Sequence, residues 1–126
     1  MSIQQNLSPE TIAVYHATAQ KRLQQERLDL RQRREAAWQL AHQAAHLLRE
    51  RFNVERVVVF GSLARGHGFT RWSDIDLAAW GIAPEDTFRA MGAVMDLGTN
   101  ISVNLVDVNT VKPSLLATIE RDGIDL

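Results

Sequence analysis

The chain contains no cysteine, which leaves it neither a disulfide framework nor a thiolate zinc site. Proline is scarce, at three residues, and none falls between Pro9 and Pro84. Glycine is missing until Gly61. Residues 10 to about 51 therefore hold nothing that would break a helix. No apolar run approaches the ~20 residues needed to span a bilayer, so no membrane association is expected. The opening MSIQQNLSPE lacks the basic start and apolar stretch of a signal peptide, and a cytoplasmic location is the expectation. A net charge of −1 argues against strong non-specific nucleic-acid binding by the whole chain. With 126 residues, 45% of them hydrophobic and 23% charged, the chain is sized for one globular domain with one core.

Ser8-Pro9-Glu10 is a good helix start. Ser8 can cap, Pro9 suits the first turn, and Glu10 favours the positive end of the dipole. Downstream, Ala37, Ala41, Ala44 and Leu48 form an apolar stripe, widened by Leu40, Ala45 and Leu47, which should pack on a sheet. Upstream the seam thins to Ile12, Tyr15, Ala19, Leu23 and Leu30, and residues 24–34 are polar on most faces. One long helix is the simplest account, with a break near residues 29–32 as the alternative. The sparse half exceeds what a compact core needs, so it should contact another chain. Lys21, Arg22, Arg27, Arg31, Arg33, Arg34, Arg49 and Arg51 crowd the first half. They read as a solvated helix face or as a docking surface for an acidic partner or RNA. His42 and His46 lie four apart on the helix, but no acid joins them in a metalloprotease pattern, and a polar helix edge accounts for them.

The rest of the chain alternates short strands and helices. Residues 57–60, Val-Val-Val-Phe, read as a strand covered on both faces. A second strand is expected over 74–80. A helix should open at Pro84, run to about Leu97 and close at Gly98. Over 101–108, Ile101, Val103, Leu105 and Asp107 share one face, and Ser102, Asn104, Val106 and Val108 the other. Residues 113–121 read as a last helix, and 123–126 as a short terminal strand.

Chemistry concentrates in residues 57–77, VVVFGSLARGHGFTRWSDIDL. An apolar strand runs into a Gly-Ser turn, and the next strand carries Asp74 and Asp76. Residues two apart on a strand point to the same face, so both carboxylates project together beside the turn. Mg²⁺ takes hard oxygen ligands, commonly one or two carboxylates plus substrate phosphates, and nucleotidyl transfer proceeds largely by positioning and charge neutralisation. Gly61, without a side chain, lets phosphate approach. Ser62 can offer its hydroxyl and N–H, and Arg65, one helical turn on, can neutralise phosphate charge. Alone, Gly61-Ser62 would be a plain strand-to-helix turn and Arg65 a surface arginine. Aspartate is depleted in strands, so the downstream pair decides the reading. Asp107 closes an apolar strand downstream. His67 and Arg71 lie in the loop between the motifs, and Trp72 should pack beneath it.

Gly61-Ser62, Ala64-Arg65-Gly66 and Ser73-Asp74-Ile75-Asp76-Leu77 resemble the nucleotidyltransferase fold family, and most of all its smallest members, the minimal nucleotidyltransferases (MNT). The resemblance covers roughly residue 56 to the C-terminus. One departure is visible: eleven residues separate Ser62 from Asp74, one more than is usual in that family, and loop 66–70 with Gly68 is where the extra residue belongs.

The resemblance implies an α/β (α+β) fold, a small mixed β-sheet backed by helices on one side, with residues 1–52 as a helical arm and 53–126 as the nucleotidyltransferase core. It implies Asp74, Asp76 and Asp107 as catalytic residues and ligands of Mg²⁺, two ions in number. Gly61, Ser62, Arg65 and Ser73 would hold the nucleoside triphosphate, ATP being the first expectation, and Asp107 would activate the acceptor. Minimal members pair with HEPN-domain ribonuclease toxins, the antitoxin adding AMP to a tyrosine of the toxin, and that is the function expected here. A non-catalytic antitoxin that blocks by contact and a stand-alone enzyme acting on a small molecule are the alternatives. A homo-oligomer through the N-terminal helix is a further expectation.

Overall fold

The computed structural model describes residues 7–126. Helix α1 spans Pro9–Phe52 without a break. Ser8 caps it as expected, its Oγ accepting from the backbone N–H of Thr11 at 3.1 Å. The chain divides into two compact units, one ending at Gln32 and the other Arg33–Leu126. In the first, Ile12, Val14, Tyr15, Leu23, Leu28 and Leu30 are exposed.

The second unit begins with the alanine-rich half of α1. Ala37, Ala41, Ala44 and Leu48 are wholly buried, because small side chains at this spacing let the helix lie close on a sheet. That sheet contains β1 (Arg56–Phe60), β2 (Ile75–Trp80), β3 (Val103–Asp107) and β4 (Ile124–Asp125) in the order β3-β2-β1-β4. β1 runs antiparallel to β2 and β4, and β2 runs parallel to β3. The short helix α2 (Ser62–Arg65) follows β1, α3 (Thr87–Leu97) joins β2 to β3, and α4 (Pro113–Asp122) precedes β4.

Alternation along the strands divides their residues between two layers. Val57, Val59, Ile75, Leu77, Ala79, Val103 and Leu105 belong to the main core with α1 and α3. Val58 and Ala78 point the other way and pack with Ile119 of α4, flanked by Phe60, Trp80 and Val108. Helices thus cover both faces, not one as expected, because the amphipathic α4 returns over the second face. Val57, Val58 and Val59 are buried on both sides of β1, which is why that strand reads as an uninterrupted apolar run. The helix expected from Pro84 opens as a 3₁₀ turn, Pro84–Asp86, before α3 begins. Among the described residues no helix is long and apolar enough to cross a membrane.

Candidate active site

α4 covers only part of the second face. Beyond it, where β1 ends and β2 begins, lies the motif of residues 57–77. β1 stops at Phe60, and the chain turns at Gly61 with φ 74° and ψ −152°, a region that is essentially open to glycine alone. A Cβ on Gly61 would stand 2.6 Å from Oδ2 of Asp76, so the absent side chain lets turn and carboxylate share this space. Ser62 opens α2, and Arg65 closes it, donating its backbone N–H to the Gly61 carbonyl at 3.1 Å. Gly66 ends the helix with φ 78°, and Gly68 has the same φ with open space around it.

Asp74 directly precedes β2 and Asp76 is its second residue. Asp76 pairs with Phe60 on one side and with Asn104 on the other. Asp74, exposed, and Asp76, half-buried, therefore face the same way beside Gly61. Burial pushes the Asp76 carboxyl above its usual range, and the neighbouring Asp74 charge pushes in the same direction, while the Asn104 side chain and Arg65 oppose it. Two converging carboxylates, one of them partly desolvated, repel one another and are relieved by a cation. This donor set of hard oxygens fits Mg²⁺, with Asp74 and Asp76 as the residues that would hold it. When bound, the ion neutralises phosphate charge.

The structure does not bring Asp107 to this place. β2 and β3 are parallel, with Asp76 level with Asn104 and Ala79 level with Asp107. Asp107 is three residues farther along, roughly 10 Å, and an odd number of positions from Asn104, so its side chain leaves the opposite face. It is buried there. Its Oδ2 accepts from Thr87 Oγ1 at 2.9 Å and its Oδ1 from the backbone N–H of Asn109 at 3.0 Å, which caps the 3₁₀ turn Val108–Thr110. The expectation of Asp107 as third carboxylate is corrected on this geometry. The β3 side chain that faces the aspartate pair is Asn104, its Nδ2 standing 3.5 Å from both Asp74 Oδ2 and Asp76 Oδ1, long contacts for hydrogen bonds. Asp74 and Asn104 also line a cavity of about 190 Å³ with Met95, Gly98, Thr99 and Ser102.

Ser73, expected to touch nucleotide, turns its hydroxyl toward its own loop. It accepts from the Thr70 N–H at 2.9 Å, and the Ser73 N–H returns to the Thr70 carbonyl at 3.1 Å. Trp72 does not pack beneath the loop: it is 78% exposed, with the Arg71 guanidinium 4.8 Å from its ring centre. His42 and His46 are exposed, as a polar helix edge requires.

Sequence reasoning missed Arg33. Its guanidinium donates to the carbonyls of Ser73 at 3.1 Å, Asn100 at 3.2 Å and Thr70 at 3.4 Å. Ser73 immediately precedes Asp74, and Asn100 lies in the loop leading to β3. Arg34 donates to the Gly66 carbonyl at 3.0 Å. Two of the basic residues read as a solvated face thus hold the loops around the aspartates. Their spacing from Ala37 and Ala41 on one helix side was the available signal.

The polymerase beta nucleotidyltransferase family (Polbeta) matches residues 42–126. No curated protein matches the chain. A solved structure described provisionally as a minimal nucleotidyltransferase is 32% identical, with a TM-score of 0.52 over 78% of this chain and 93% of that one. A toxin–antitoxin structure with AMP-PNP is 20% identical, with a TM-score of 0.55 over 68% and 70% of the two chains. The MntA–HepT toxin–antitoxin structure is 17% identical, with a TM-score of 0.51 over 70% and 69%. With the family matched over two thirds of its length and the Gly-Ser turn facing an aspartate pair, the chain belongs to the polymerase beta nucleotidyltransferase family.

Proposed function

We propose that the chain binds a Mg²⁺–nucleoside triphosphate, ATP in the first instance, at the Asp74/Asp76 face, and transfers AMP to a protein hydroxyl. The acceptor on this reading is a tyrosine of a HEPN-domain toxin, to which the chain is the antitoxin. The observation that carries the reading is the close approach of the Gly61 turn to Asp76, which sets an open backbone turn against the metal-binding pair. The similarity to a toxin–antitoxin structure with AMP-PNP and to MntA–HepT supports both nucleotide and partner. Asp74 and Asp76 hold the metal, Gly61 and Ser62 accommodate the triphosphate, and Arg65 adds positive charge at the rim. The exposed apolar residues Ile12, Tyr15, Leu23 and Leu30 supply a surface for the partner or for a second copy of the chain.

The test is incubation of the purified full chain with labelled ATP, Mg²⁺ and a candidate HEPN partner. Label should appear on the partner. The Asp74→Asn/Asp76→Asn double variant should fold and lose transfer by at least about a hundredfold, as follows from removing charge stabilisation at a preorganised site. Undiminished transfer by that variant would refute the assignment. One observation favours a second reading, an antitoxin that blocks by contact alone: the β3 residue facing the aspartates is the neutral Asn104. On that reading the double variant still protects cells from the toxin, and no modified partner is found by mass spectrometry.

A further inference from the structure

We infer that Asn104 makes this a one-cation site, in which Asp74 and Asp76 together take a single divalent ion with the nucleotide phosphates. The inference rests on the function proposed above and concerns how that same site is equipped.

Register dictates which residues can reach the space in front of Asp76. β2 is flanked by β1 and β3. On the β1 side the neighbour of Asp76 is Phe60, an apolar ring followed by Gly61. On the β3 side it is Asn104. The strand neighbours thus offer one polar position, and a neutral amide fills it. Its Nδ2 stands equidistant, at 3.5 Å, from an oxygen of each aspartate, so the strand position nearest the pair carries no charge. Among the described residues no group of three or more His, Cys, Asp or Glu side chains could hold a metal. Asp107 is buried on the other face with both oxygens engaged.

Charge decides the count. Two dications about 3.5–4 Å apart repel strongly and are held together by bridging anionic ligands. Asp74 and Asp76 supply two negative charges, enough with phosphate oxygens for one Mg²⁺, which commonly uses one or two carboxylates. An amide oxygen can complete the shell of that ion but adds no charge to hold another.

The experiment counts bound ions instead of turnover. The full chain is titrated with Mn²⁺ in the presence of AMP-PNP, and bound ions per chain are read by electron paramagnetic resonance. The native chain should hold one. Asn104→Asp should hold two, and Asn104→Ala one. Thermal unfolding of each variant checks that it is folded, as expected at an exposed strand position. Two ions on the native chain would overturn the inference while leaving the proposed function standing. One ion on folded Asn104→Asp would also overturn it, since Asn104 would not then set the number. No Mn²⁺ or nucleotide bound to the native chain would refute the proposed function, and this inference with it.

Discussion

Asp76 and Asp107 stand on adjacent strands of one sheet and have opposite fates. Asp107 is buried, and each of its two oxygens accepts a hydrogen bond, one from Thr87 and one from the Asn109 backbone. Asp76 is half-buried beside a second carboxylate, and among the described residues its side chain is met by the distant Asn104 amide alone. A buried carboxylate whose two oxygens are both bonded by its own chain holds structure together. One whose lone pairs are left over, at some electrostatic cost, is available to a ligand. The difference comes from three positions of strand register, which send one side chain into the core and the other to the open face.

The sharpest way to break this contrast is to fill the space that Asp76 uses. Gly61→Ala would put a methyl group 2.6 Å from Asp76 Oδ2 at a backbone conformation that alanine avoids. We expect a loss of about 1–3 kcal/mol of stability, seen as a lower melting temperature. Mg²⁺–nucleotide binding should weaken at least about tenfold by calorimetry. Unchanged binding would show that turn and carboxylate do not work together. Asp107→Ala tests the other member. It strands the Thr87 hydroxyl and the Asn109 N–H, so stability should fall by about 1–3 kcal/mol, while Mg²⁺–nucleotide affinity in the folded protein stays as it was. Loss of affinity with unchanged stability would return Asp107 to the site.

The smallest effect is a pH dependence. The Asp76 carboxyl has its pKa raised in the folded chain, so the folded state binds this proton more tightly than the unfolded state does. Ionising Asp76 therefore disfavours folding, and this penalty is fully present above the raised pKa. Stability from this group falls as pH rises from the ordinary aspartate value through the raised one. Without metal, Asp76→Asn should melt slightly higher than the native chain at pH 7, and the gap should close as the pH is lowered through that window. A native chain that is the more stable at pH 7 would remove the electrostatic cost assigned to Asp76.

Much of this molecule is legible in its residue order. Ser8 and Pro9 announce the start of α1, the alanines at 37, 41 and 44 mark its buried side, and the valines of β1 betray a strand covered twice. The Gly61 turn and the aspartate pair follow from spacing alone. Asp107 was misplaced for a definite reason. Its own alternation put it with Ile101, Val103 and Leu105, an apolar face and hence the core side. Which β3 residue lies beside Asp76 depends on the register of a parallel pair joined through α3, and no local pattern encodes that register. Trp72 was misplaced likewise, because a loop's tertiary contacts, unlike a helix stripe, leave no period in the sequence; Arg33 continues the buried side of α1 one turn before Ala37, but nothing local shows which carbonyls it meets.

Arg33 carries a consequence for how a nucleotide would be received. Its three carbonyl contacts tie the turn before Asp74 to the loop before β3, stretches 27 residues apart in the chain at Ser73 and Asn100. Fixing a free backbone residue costs roughly 1–2 kcal/mol in entropy, and here that cost is met during folding. An arriving triphosphate would find these loops already ordered, so its binding should be weakly opposed by entropy, and Arg33→Ala would transfer the ordering cost from folding to binding.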